Sequence, residues 1–209
     1  MMSKEERREG VGREGVIAFV LLVAELLLFI LSWLLSATRM EGVRSLLSSE
    51  GIRWFFGSFT EMVASPLLVW LLLGLCAWGA VKNSGILLTK KRNRGDVIPY
   101  RDKVALRVAF AFLIIYICIL CMLTLMPHAI LLSATGSLFP SAFSRSLVPI
   151  IAFGICLVSV TFGLVSGRLR TLSDTFYALS SGIAQGAPLI ILYLLFIQFY
   201  ESLRFVFGF

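Results

Sequence analysis

One histidine, His128, and only twelve acidic residues stand in a chain of 209. That scarcity removes most catalytic and metal-binding arrangements at the outset. Acid–base chemistry and metal binding need several His, Cys, Asp or Glu brought together. No Ser/His/Asp set, paired carboxylates or metal-ligand spacing is visible, and no Gly-rich phosphate loop. His128 directly follows Pro127 at the end of an apolar run and reads as a polar anchor at an interface. The four cysteines, Cys76, Cys118, Cys121 and Cys156, all fall inside apolar runs. Buried cysteine behaves as a small hydrophobe, so no disulfide framework is implied. Cys118 and Cys121 share a helix face at i and i+3, without a His or carboxylate nearby in sequence. No enzyme, cofactor or metal is expected.

Charge is scarce as well. The chain is 58% hydrophobic and 15% charged, with a mean hydropathy of +0.92. Soluble domains hold about 45–50% apolar and about 25% charged residues. The excess points to a membrane protein, with the lipid bilayer as its first partner. The net charge of +7 sits at the ends of apolar runs, where membrane topology places it. No basic face with interleaved aromatics appears, so nucleic acid is not an expected partner.

What is there is a series of apolar runs, each long enough to span a bilayer, which takes about 20 residues. The candidates are Val16–Ser36, Pro66–Leu88, Val104–Met126, Leu147–Val165 and Ala187–Phe207. Pro66 opens the second in the favoured first-turn position. Pro127 stops the third, Pro149 lies in the first turn of the fourth, and Pro188 stands near the start of the fifth. The first run, from Gly15 to Ala37, exceeds the apolar core of a signal peptide, about 7–15 residues. It reads as a span that stays.

The segment Arg39–Ser65 is too charged to span. Its apolar side, with Leu46, Leu47, Ile52, Trp54, Phe55, Phe56 and Phe59, suits headgroup depth. Two short helices broken at Ser48–Gly51 are expected there. Pro127–Ser146, rich in Ser, Gly and Pro, reads as an external loop. Leu172–Gly186 reads as a short polar-faced helix with Ser173 or Asp174 as N-cap. The predicted fold is an all-α polytopic membrane protein of about five spans, with interfacial helices between the first two and before the last. It forms one membrane domain: residues 1–15 before the first span, blocks 16–88 and 104–209, and a basic bridge at 89–103.

Orientation follows from Lys and Arg. Lys4, Arg7, Arg8 and Arg13 precede the first span. The stretch from Lys90 to Lys103 has six basic residues, and Arg107 stands just inside the third span. Arg168 and Arg170 follow the fourth. The opposite side has Arg39, Arg44, Arg53 and Arg145. The N-terminus is expected inside and the C-terminus outside.

Ionisable residues within spans cost about 2.5–3.5 kcal/mol at the helix centre and less near the ends. Glu25 lies midway along the first span. It is either a proton or cation site or an interhelical hydrogen bond that fixes packing. Lys82, Arg107, Glu201 and Arg204 lie nearer span ends and can snorkel. Lys82, Asn83 and Ser84 join Glu25 as candidate intramembrane polar residues, and any solute site is expected around Glu25 and Lys82. Gly74, Gly79, Gly154 and Gly163 permit close helix approach, and Gly163 and Gly167 have small-xxx-small spacing.

The stretch SLLSSEGIRWFFGSFTEMVASPL resembles the p-aminobenzoyl-glutamate transporter (AbgT) family. Glu50, Gly51, Ile52, Arg53 and Trp54 carry the match. In GAVKNSGIL, Ser84 and Gly85 match, whereas Lys82 stands where the family has Glu. PHAILLSATGSLFPSAFSRSLVPII resembles the family's segment leading into a Val-Pro-Ile-Ile helix. Gly167 to Phe199 resembles its Asp-led segment before a Gln-Phe helix, matched by Asp174, Gln198 and Phe199. The resemblance covers most of the chain, in two blocks.

The resemblance also implies what is missing. The family's transporters are longer, with two re-entrant hairpins. Only Thr89–Lys103 stands where the first hairpin and its neighbours would lie. The second hairpin would follow the Gln-Phe helix, where this sequence reaches Phe209. Such hairpins supply the non-helical backbone that coordinates ligands at mid-membrane. The expected protein is therefore a reduced, scaffold-like member in a bacterial cytoplasmic (inner) membrane, assembling as a homodimer or with a membrane-protein partner. The alternative is a compact transporter of an aromatic-amide or folate-related solute.

Overall fold

A computed structural model describes residues 4–38, 42–88, 99–125 and 142–208. Pro127, His128 and most of the basic bridge lie outside the described residues. Among the described residues the helices run in order α1 Lys4–Ala37, α2 Ser49–Gly57, α3 Phe59–Val63, α4 Pro66–Ser84, α5 Tyr100–Leu125, α6 Ala142–Ser166 and α7 Leu172–Phe207. Among the described residues there is no strand. The five longest are long and apolar enough to cross a membrane, as the composition requires.

The helix ends have local causes. Pro66 takes the first position of α4, where its missing N–H costs nothing. Gly85, at φ +77°, stops that helix in the left-handed region that glycine enters freely. Gly167, at φ +72°, does the same after α6. There the amides of Arg168 and Leu169 turn back to the Gly163 carbonyl, both at 3.0 Å. Thr171 and Asp174 form a capping box before α7: the Asp174 amide donates to Thr171 Oγ1 at 3.0 Å. In return Asp174 Oδ2 accepts from the Thr171 amide at 2.9 Å. Thr171 is therefore the N-cap, in place of Ser173 or Asp174.

Several boundaries differ from the sequence expectation. The two interfacial helices are present, but the break falls at Ser58, between α2 and α3. Ser48 is instead the N-cap of α2 and accepts from the Gly51 amide at 3.0 Å. Helix α6 already starts at Ala142, so Pro149 lies in its interior and Ala142–Ser146 is helical. The segment before the last span is helical but continuous with it. Together they make α7, 36 residues long with Pro188 inside, about 54 Å at about 1.5 Å per residue. Tyr100–Lys103, expected in the bridge, forms the first turn of α5.

The chain divides into two compact units, Met1–Val69 with Gly186–Phe209, and Trp70–Gln185. The core of the first holds Leu28, Leu46 and Val206, with Phe29, Trp54, Phe199 and Phe205 around them. Trp54 stacks on Phe205 with ring centroids 4.3 Å apart, and Arg44 lies over the same ring. Leu46 is fully buried. Its amide donates to Ser32 Oγ at 3.1 Å, which anchors the turn before α2 to α1. Gly51 is fixed by the same approach: a Cβ there would lie 2.5 Å from the Ser45 carbonyl oxygen and 2.6 Å from Leu46 Cα.

In the second unit α5 packs along α6 around Ala105, Ala109 and Phe162. Tyr116 donates to the Ile150 carbonyl at 2.9 Å, and its ring lies against Gly154. Helix α4 meets the first half of α7 at Gly79 and Gly182. A Cβ on Gly79 would fall 2.6 Å from the Ala178 carbonyl oxygen, and one on Gly182 would overlap the Leu75 carbonyl. Of the expected close-approach glycines, Gly74 has open space. Gly163 faces Leu169 of its own C-terminal turn, so the Gly163/Gly167 spacing serves a helix stop.

Candidate functional site

The candidate polar residues fall into two sets, one in each unit. In the first unit, Ser202 Oγ donates to Glu25 Oε1 at 2.7 Å. This ties the middle of α1 to α7. Ser202 is fully buried. Gln198, four residues earlier and hence on the same side of α7, is buried too. Glu25 Oε2 and both polar atoms of the Gln198 carboxamide are buried without a hydrogen-bond partner among the described residues. An unpaired buried polar group costs about 1–3 kcal/mol, so this corner of the fold is polar beyond what packing alone needs.

The second set surrounds the end of α4. Lys82 Nζ donates to Gln185 Oε1 on α7. Asn83 Nδ2 donates to Ser181 Oγ at 2.6 Å and to the Gly79 carbonyl at 2.9 Å. Ser84, fully buried, donates to the Val81 carbonyl at 3.0 Å. Arg168 closes the cluster. Its Nη1 donates to the carbonyls of Ser84 at 3.3 Å and Gly85 at 2.9 Å. Its Nη2 pairs with Asp102 Oδ2 at 2.9 Å. The guanidinium thus satisfies carbonyls that the end of α4 leaves open, and pairs with the buried carboxyl at the start of α5. A Cβ on Gly85 would lie 2.5 Å from Arg168 Nη1, so glycine is needed there for space as well as for φ.

The sequence singled out Glu25, Lys82, Asn83 and Ser84. The structure brings Lys82, Asn83 and Ser84 together and places Glu25 in the other unit. It adds Ser202, Ser181, Gln185, Asp102 and Arg168, which sequence reasoning had read as topology charges or as unremarked polar residues. Of the motif residues, Gly51, Trp54 and Gly85 have packing roles and Asp174 caps α7. Glu50 and Arg53 are exposed on α2. Glu50 stands in the first turn of that helix, where the helix dipole favours a negative charge. Cys118 and Cys121 are exposed along α5, while Cys76 and Cys156 are half-buried. Glu201 pairs with Arg204 one turn on, at 3.7 Å.

Bilayer-length helices, joined by polar side chains between their ends and flanked by short amphipathic helices, define a polytopic membrane protein. The family model of the AbgT transporters matches residues 88–205, more than half of the chain, and the chain belongs to that family. Its structure is similar to the crystal structure of the Alcanivorax borkumensis YdaH transporter, described as having an unusual topology. The TM-score is 0.79 at 15% identity, over 92% of this chain and 71% of that one. Such coverage must include most of the segment before residue 88, so the fold of the first block is shared as well. Comparison with curated proteins finds no match.

Proposed function

We propose that this chain acts as a membrane scaffold, the frame of an AbgT-type transporter without its transport core. The observation that supports this reading most is that the polar groups of the second unit bind one another. Lys82 is held by Gln185, Asn83 by Ser181, and Arg168 by Asp102, Ser84 and Gly85. These bonds tie the side chains to the fold, and a solute-binding group needs bonding capacity left for the solute. The described spans are, in addition, each one uninterrupted helix, whereas transporters build their sites on interrupted ones. The scaffold stands in a bacterial cytoplasmic membrane with the N-terminus inside and the C-terminus outside, and assembles as a homodimer or with a membrane-protein partner.

Mass measurement in mild detergent tests the assembly. A dimer, or a co-purified membrane subunit, is expected. A strictly monomeric protein that recruits nothing contradicts the scaffold. A C-terminal reporter active only in the cytoplasm contradicts the orientation.

A second reading is a compact transporter of p-aminobenzoyl-glutamate or a related aromatic amide. The unpartnered atoms of Glu25 and Gln198 favour it, because they leave bonding capacity for a proton, an ion or a solute.

A further inference from the structure

We propose that a groove between α5 and α6 binds an anionic phospholipid, with the headgroup phosphate held by Arg107 and Lys103 and an acyl chain in the groove. The groove, in the second unit, measures about 380 Å³ and is lined by Leu106, Arg107, Ala109, Phe110 and Leu113 of α5 and Val158 of α6. Apart from Arg107 the lining is apolar. Arg107 lies about 10 Å along α5 from Tyr100, and Leu113 about 9 Å further, at about 1.5 Å per residue. The cation therefore marks the shallow end, and the apolar wall runs inward from it. Lys103 stands one turn before Arg107 at i−4, on the same side of the helix.

Charge decides the kind of occupant. The first two turns of α5 carry Arg101, Lys103 and Arg107 against one acid, Asp102, and that carboxylate is paired with Arg168. Neither Lys103 nor Arg107 has an ion-pair partner among the described residues. Two uncompensated cations above an apolar slot fit a molecule with an anionic head and a hydrocarbon tail. A free phosphate would leave the slot empty, and an uncharged lipid or an apolar helix would leave the cations unanswered. Basic residues at a membrane surface favour anionic lipid additively. The site is independent of whether the chain transports anything.

Native mass spectrometry of the full chain tests this, after exchange with phosphatidylglycerol or phosphatidylcholine of equal chain length. The wild type is expected to retain phosphatidylglycerol preferentially. Arg107→Gln should lower the preference about fivefold, and Lys103→Gln with Arg107→Gln about thirtyfold. Arg107→Lys should keep most of it, and Arg13→Gln, at a residue that does not line the groove, all of it. Leu113→Trp, which fills the slot and keeps the charges, should lose retention. Equal binding of the two lipids overturns the proposal, as does an undiminished preference in the double variant or an equal loss in Arg13→Gln. If the double variant does not fold, Arg107→Lys and Leu113→Trp decide: retention in Leu113→Trp equal to that in Arg107→Lys contradicts a groove-bound lipid.

Discussion

Arg168 holds Asp102 at 2.9 Å and, with its other terminal nitrogen, reaches the Ser84 and Gly85 carbonyls. One guanidinium joins the end of α4, the start of α5 and the link between α6 and α7. Its fork geometry lets it serve the carboxylate and the carbonyls together, which a lysine ammonium cannot match. Asp102 is buried, while the Arg168 side chain is about a third exposed, so solvent screens part of the attraction.

Arg168→Ala should therefore destabilise the protein by about 1–3 kcal/mol, below the ~3–5 kcal/mol of a fully buried pair that loses one partner. Arg168→Lys should recover less than half of the loss. Thermal unfolding in detergent measures both. A double-mutant cycle with Asp102→Asn should show coupling. Additive losses would mean that the pair contributes nothing beyond its separate contacts.

The crossing of α4 and α7 allows a sharper contrast. Gly182→Ala would drive a methyl group into the Leu75 carbonyl, and Gly79→Ala would crowd the Ala178 carbonyl. Each should cost about 1–3 kcal/mol, the usual price of overpacking. Gly74→Ala, on the same α4 but with open space around it, should be neutral or stabilise by up to about 1 kcal/mol. Equal effects at Gly74 and Gly182 in thermal unfolding would contradict this helix crossing.

Ser32 is a single hydroxyl with two duties. It donates to the Phe29 carbonyl at 2.9 Å and accepts from the buried Leu46 amide at 3.1 Å. Ser32→Ala leaves that amide without a partner, at a cost of about 1–3 kcal/mol. Hydrogen exchange at Leu46 should accelerate together with that of the turn before α2. Unchanged exchange there would mean that the turn is held by Leu46 packing alone.

The spans were legible because a bilayer imposes both length and apolarity. Their boundaries were less so. Pro149 and Pro188 looked like starts, yet α6 and α7 run through them. Membrane helices tolerate proline because neighbouring groups satisfy the freed backbone. Arg168 and Asp102 are 66 residues apart, and the sequence offered Arg168 only as a topology charge. Gly182 was hidden among polar neighbours, although its bare Cα is what lets α4 approach. Leu46 was placed on an apolar face, but its complete burial depends on Ser32, Gly51 and Val206, which no local pattern reveals. Glu25 was visible as a charge within a span. Its partner Ser202 was not, being 177 residues away.

The central claim is that this chain is a frame without transport of its own. Uptake of p-aminobenzoyl-glutamate into proteoliposomes holding the purified protein alone, under an imposed proton or sodium gradient, tests it most directly. The scaffold account predicts uptake equal to that of protein-free vesicles, and no change on Glu25→Ala. Gradient-dependent uptake that Glu25→Ala abolishes would contradict it and place function at the Glu25–Ser202 pair.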